Sequence, residues 1–303
     1  MLRVRKQIGC SDEVVRSCGN RGVTIAMLDT GIAAHPDFDN RLIAFHDFVN
    51  DKKKPYDDSG HGTHVAGCMC GSGRVSNGKY KGIAPASHLV VGKVLDYKGD
   101  GVIENMANGI EWVLQNKNQY DIRVLNISIG MGESAGKERM DYLLTLIDEA
   151  WRSGLIVVCA AGNSGPEAMT LSPIGARKMV ITVGCNEGGY FGDRKDLCER
   201  YSSRGPSPYD MKKPDIVAPG TDIISCNAFF ERRGWSYKNA YIAKSGTSMA
   251  TPIVSGAMAL LLQKYPFYRN DQAKKKLLST AKDLKELWNK QGAGMVQINS
   301  LLT

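Results

Sequence analysis

Ser248 sits in the stretch SGTSMATP, residues 245 to 252, which runs directly into the apolar series IVSGAMALLL. One hydroxyl is enough to cap a helix, and this stretch holds several. Gly246 and Ala250 flank Ser248 two residues to either side, so small neighbours leave its hydroxyl open to approach. A reachable serine becomes a nucleophile when a neighbouring base takes its proton, and histidine is the commonest such base.

All five histidines, at 35, 46, 61, 64 and 88, precede Ser248. That order excludes the α/β-hydrolase arrangement, in which the serine comes first, and Gly246-Thr247-Ser248-Met249-Ala250 is not a G-x-S-x-G elbow. The remaining order is Asp29, then a histidine, then Ser248. His61 is the best-placed base, because SGHGTHV sets it between two glycines at the start of a helical run, where its ring can reach a cleft. His64, one turn further on, is expected to pack and hydrogen-bond inside. The pair lacks the four-residue spacing and adjacent glutamate of H-E-x-x-H, so no zinc site is read here. His35, His46 and His88 are expected in surface or loop positions.

The elements that must hold these groups follow from hydrophobic pattern. Continuous apolar runs at 23–28, 87–95, 123–129, 155–161 and 179–185 read as strands buried on both faces. Between them, 63–70, 102–116 and 137–154 read as helices, the last stopped by Gly154. Strand and helix in alternation predict an α/β fold, a mainly parallel central sheet with helices on both faces. Sites in such folds gather at the carboxyl ends of the strands. There the sequence places Asp29-Thr30-Gly31, the glycines 130 and 132, and Gly162-Asn163-Ser164-Gly165.

Composition bounds the alternatives. The chain has 303 residues, 43% hydrophobic and 23% charged, with no linker or repeat to divide it. The net charge of +8 is spread over separate basic blocks, which reads as solvated faces and not as a nucleic-acid surface. No apolar run is long enough to span a bilayer, and MLRVRKQIGCSDEVV lacks the apolar core of a secretory signal. The eight cysteines show no CxxC pair, and Cys68-Met69-Cys70 is too little to bind a metal. Cys159 and Cys185 read as small buried hydrophobes. Thiols without a framework suit a reducing compartment, and a cytoplasmic location is expected.

Asp29-Thr30-Gly31, HGTHVAG at 61–67, AAGN at 160–163 and GTSMATP at 246–252 resemble the four signatures of the subtilisin-like serine proteases. HPDF at 35–38, GIAP at 82–85, NGIEWV at 108–113, SSRGP at 202–206 and KPDIVAPG at 213–220 resemble lesser segments of the same family. The resemblance begins near residue 20, which implies an N-terminal extension, 1–20, and a peptidase domain, 21–303. It implies a broad-specificity serine endopeptidase acting on proteins or peptides. Ser248 would be the nucleophile, His61 the general base and acid, and Asp29 the group that orients His61. Asn163 would donate to the oxyanion. Gly99-Asp100-Gly101 and Ser128-Ile129-Gly130 would pair with an extended substrate as added strands. Counting back from Pro173 puts Leu171 on the floor of the primary specificity pocket, in a loop that looks shorter than in secreted members, and predicts a shallow, apolar pocket. No cofactor is required on this reading.

The sequence departs from the secreted pattern in two ways. It shows no signal peptide or propeptide, which suggests an intracellular type; a secreted origin with both segments removed is the alternative. An inhibitory propeptide or inhibitor protein would then be a partner outside this chain. The 71–82 loop stands where many members hold calcium, yet it offers no carboxylate, and Asp37 would stand nearly alone. No metal ligand set is assigned there, and a weak structural calcium elsewhere stays open. The competing functional class is a catalytically silent binding or regulatory protein on the same fold. The presence of all four chemical residues weighs against it.

Overall fold

A computed structural model describes residues 1–129, 136–207, 211–234 and 236–303. Seven strands form one sheet: β1 (Thr24–Asp29), β2 (Leu42–Asp47), β3 (His88–Lys93), β4 (Ile122–Ile127), β5 (Ile156–Ala160), β6 (Ile181–Cys185) and β7 (Ile216–Ala218). Their order is β2-β3-β1-β4-β5-β6-β7, parallel at every pairing. The five strands expected from sequence are β1, β3, β4, β5 and β6. The strands not foreseen are the two edges. In β2 only Asp47 is fully buried, so it lacks a continuous apolar run, and β7 has three residues. Further on, β8 (Ile223–Cys226) pairs antiparallel with β11 (Tyr241–Lys244), and β9 (Glu231–Arg233) with β10 (Ser236–Lys238).

The helices are α1 (Leu2–Gln7), α2 (Asp12–Arg16), α3 (His61–Cys70), α4 (Ile103–Asn116), α5 (Lys137–Arg152), α6 (Thr247–Lys264), α7 (Asn270–Ser279), α8 (Trp288–Gln291) and α9 (Ile298–Leu302). Nearly every residue of α6 is buried, as expected of a helix apolar all round. It packs against β4, β5, β6 and α3. A polar clasp fixes its rotation inside that apolar contact: Ser255 Oγ donates to Asn126 Oδ1 at 2.8 Å, and Asn126 Nδ2 donates to Ser128 Oγ at 2.9 Å. These hydrogen bonds offset the cost of burying the three polar side chains, so the clasp can specify register. α1 is bound to the body as well, with Val4 and Ile8 in the common core and Ile298 N donating to Ile8 O. No helix among the described residues is long and apolar enough to cross a membrane.

Candidate active site

Adjacent positions in the sheet bring the chemistry together. β1, β4 and β5 are neighbours, so Asp29, Ser128-Ile129 and Gly162-Asn163 stand at one carboxyl edge. α3 begins at His61 above this edge. Its entry turn is held by Asp57, which accepts from Gly60 N at 2.7 Å, Thr63 N at 2.8 Å, Thr63 Oγ1 at 2.6 Å and Thr30 Oγ1 at 2.8 Å. Burial alone would raise the Asp57 pKa, but these donors hold it below the ordinary carboxylate value. An anion at a helix N-terminus is also favoured by the helix dipole. Sequence reading missed Asp57; its place four residues before a helix start was the available signal.

His61 Nδ1 lies 2.7 Å from Asp29 Oδ1, which also accepts Thr30 N at 2.8 Å. The imidazole is 23% exposed and the Asp29 side chain not at all. Burial pulls the His61 pKa down, Lys244 adds to that, and the Asp29 charge and hydrogen bond overcome both, so the net shift is upward. Among the described residues no donor reaches the buried Asp29 Oδ2, so the carboxylate is best compensated when His61 is protonated. The close approach of α3 to β1 depends on Gly62: an added Cβ would stand 2.2 Å from Gly31 O.

Ser248 is half-buried at the second position of α6, after Gly246, whose φ of 142° suits glycine. Pro252 lies inside the helix and cannot donate an N–H back to the Ser248 carbonyl. No hydrogen bond joins Ser248 to His61 among the described residues; such bonds often tighten only when substrate is bound. Asn163, exposed after β5, accepts Thr247 N at 3.1 Å and Thr247 Oγ1 at 3.0 Å on its Oδ1. Because an N–H must find an oxygen, this fixes the amide orientation and leaves Nδ2 as the outward donor.

The substrate-side segments are laid out differently from one another. Gly99, Asp100 and Gly101 form an exposed turn, in which Asp96 Oδ1 accepts Lys98 N at 2.9 Å and Asp100 N at 3.0 Å. Ser128 and Ile129 continue from β4 and are buried, and Gly130 lies outside the described residues. Leu171 is half-buried and does not pack against the main core cluster; next to it, Ser172 N donates to Ala161 O at 2.8 Å. His64 packs inside, as expected: its Nε2 faces Ile223 O at 2.8 Å and Ile242 O at 3.1 Å, and burial lowers its pKa to about 3.

Two expectations are corrected. His35 stands in a loop, as expected, but is only 2% exposed, packed against Phe38, Phe230 and Tyr241, with Nε2 at 2.9 Å from Ala240 O. Phe230, Ala240 and Tyr241 close over it, a contact the local sequence does not announce. His46 lies within β2 and His88 opens β3, so neither is a loop residue. Cys185 is buried but is joined to Cys198 in a disulfide, while the other six cysteines are free and buried.

Asp37 faces the 71–82 loop. Its carboxylate accepts Gly73 N at 3.1 Å, Val75 N at 3.1 Å and Tyr241 OH at 2.8 Å. The 71–82 loop therefore turns N–H donors towards the position where a cation would require oxygens, and the residues do not fit calcium.

Residues 20–294 match the subtilase family profile. The chain is 42% identical to the serine protease AprX of Bacillus subtilis (strain 168), over 98% of this chain and 70% of that protein. It is 32% identical to subtilisin DY of Bacillus licheniformis, over 94% of this chain and 93% of that protein. Among solved structures, sphericase superposes with a TM-score of 0.75 at 28% identity, covering 92% of each chain. A cold-adapted subtilisin-like serine proteinase superposes with a TM-score of 0.70 at 30% identity, covering 92% of this chain and 89% of that one.

Proposed function

We propose a residue-level mechanism for this chain, which belongs to the subtilase family and is a serine endopeptidase acting on proteins or peptides. Ser248 Oγ attacks the scissile carbonyl carbon while His61 Nε2 takes its proton. The C–N bond then breaks, and His61 returns the proton to the leaving amine. Water repeats the sequence on the acyl-enzyme and frees Ser248. Asp29 keeps the His61 tautomer with its proton on Nδ1 and stabilises the imidazolium. The oxyanion is met by Asn163 Nδ2 and by Ser248 N at the positive end of α6. The observation that carries this reading is the 2.7 Å contact between His61 Nδ1 and a buried carboxylate, with the other ring nitrogen left for a substrate-side partner.

Gly99–Gly101 and Ser128–Gly130 grip the substrate backbone, and Leu171 shapes the pocket for the residue before the cleaved bond. Donors around Asp37 support activity without a tightly held calcium. Six free cysteines support a reducing, cytoplasmic setting, against which the single Cys185–Cys198 disulfide weighs. An inhibitory propeptide or inhibitor protein would bind the same two segments.

A fluorophosphonate probe tests the central claim. The expected result is one label, located on Ser248 by peptide mapping and absent from Ser248→Ala. A folded protein that takes no label would favour the silent binding protein.

A further inference from the structure

Glu187 is fully buried, and the mechanism above has no use for a carboxylate there. Its Oε1 accepts Gly220 N at 2.8 Å and Thr221 N at 2.6 Å. Its Oε2 accepts Arg3 Nη1 at 2.5 Å, and Arg3 Nη2 donates to Thr221 O at 2.6 Å. The Glu187 backbone is itself fixed: Gln7 Nε2 donates to its carbonyl at 2.6 Å, and its N–H donates to Glu199 Oε2 at 2.8 Å. The turn that Glu187 holds is in turn tied to the start of α6. Gly246 N donates to Gly220 O at 2.9 Å, and Asp222 N donates to Ser245 Oγ at 2.9 Å. There is no slack around Gly220, where an added Cβ would stand 2.6 Å from Gly246 O and 2.7 Å from Cys185 Sγ.

We propose that Glu187 is a positioning residue for catalysis, setting Gly246 and hence Ser248 through the Gly220 and Thr221 amides. The inference rests on Ser248 being the nucleophile. Removing the carboxylate leaves two buried N–H groups without an anionic acceptor, and the turn moves to repair them. Gly246 moves with the turn, and the Ser248 N–H then misses the oxyanion, whose stabilisation depends on donor placement. Among the described residues, 99–101 and 128–129 make no hydrogen bond to Gly220, Thr221 or Gly246, so substrate binding there is expected to survive that motion. The signature is therefore a loss in kcat with KM retained. Arg3 acts on the turn mainly through Glu187, as the cation that compensates its buried charge, and also directly, by donating to Thr221 O.

The test compares Glu187→Gln, Arg3→Gln, Arg3→Lys and Glu187→Gln/Arg3→Gln. Each is measured per active site, titrated with fluorophosphonate, well below its melting temperature. A wild-type label that maps elsewhere than Ser248 would refute the mechanism and, with it, this inference's premise. With Ser248 labelled, Glu187→Gln is expected to lower kcat about tenfold or more with KM nearly unchanged. Arg3→Gln should lose less, Arg3→Lys should recover most of that loss, and the double variant should lose clearly less than the two single losses combined, because the two side chains share one function. Wild-type kcat per site in Glu187→Gln, or additive losses in the double variant, would overturn the proposal. Should Glu187→Gln fail to fold, the Arg3 pair decides it: an unchanged kcat in Arg3→Gln is then the overturning result.

Discussion

Asn163 Oδ1 accepts both the backbone N–H and the hydroxyl of Thr247, so the loop after β5 and the first turn of α6 are joined immediately before Ser248. The outward Nδ2 and the Ser248 hydroxyl are thereby carried on one unit. Asn163→Asp keeps the acceptor for Thr247 and replaces the donor with a second oxygen, whereas Asn163→Leu removes both. Both variants should lose roughly 10²–10³ in kcat, the range measured for this kind of donor in subtilisin itself. Asn163→Asp should melt closer to wild type than Asn163→Leu. Steady-state kinetics with calorimetry checks both statements, and a kcat within threefold of wild type would remove Asn163 from the oxyanion site.

Ser248→Ala and His61→Ala should each abolish measurable turnover while leaving the fold intact; subtilisin, where such losses are about 10⁶, is the reference case. His64→Ala should behave differently, lowering the melting temperature because it deletes the buried link to Ile223 O and Ile242 O. If a properly folded His64→Ala were the more inactive of the two histidine variants, His61 would not be the base.

The two histidines also predict opposite pH behaviour. His61 must be neutral to accept the Ser248 proton, and its folded pKa lies above 6.5. Activity should therefore rise with pH through a midpoint above that value. The stabilisation from charged His61 is present below about 6.5 and is lost as pH rises through the raised folded value. His64 has the other sign: its folded pKa is lowered to about 3, so the unfolded chain binds the extra proton between there and 6.5. Stability should fall as pH drops through that window, by at most roughly 5 kcal/mol. Urea titrations at several pH values should show a shallower acid loss in His64→Gln than in wild type. An unchanged slope would show that other groups control it.

Chelator should shift the melting temperature by only a few degrees, because removal of a tightly held ion would cost several kcal/mol. Asp37→Asn should destabilise equally with and without calcium, since it weakens the acceptor for Gly73 N and Val75 N. A large chelator-induced drop would mean that a tight site exists.

Leu171→Gly should shift cleavage towards Phe and Tyr before the scissile bond in a peptide library. The wild type should favour small or medium apolar residues there. The change is worth about 1–3 kcal/mol, a bias and not an exclusion. An identical cleavage profile would show that Leu171 does not line the pocket.

The sequence by itself specified the five inner strands of the sheet and pointed to the residues proposed to react. Continuous apolar runs specify strands buried on both faces, and β1, β3, β4, β5 and β6 appear within a residue or two of those runs. Ser248, His61 and Asn163 were legible because small neighbours and strand-end loops are local features. Tertiary structure alone decided which distant groups support them. Ser255 meets Asn126 across 129 residues, His64 meets Ile223 across 159, and Glu187 meets Arg3 across 184. His35 is buried by a segment two hundred residues later. Hydrophobic period records which face of an element is covered. It carries no record of what covers it, because buried polar groups choose partners by three-dimensional placement and not by spacing along the chain.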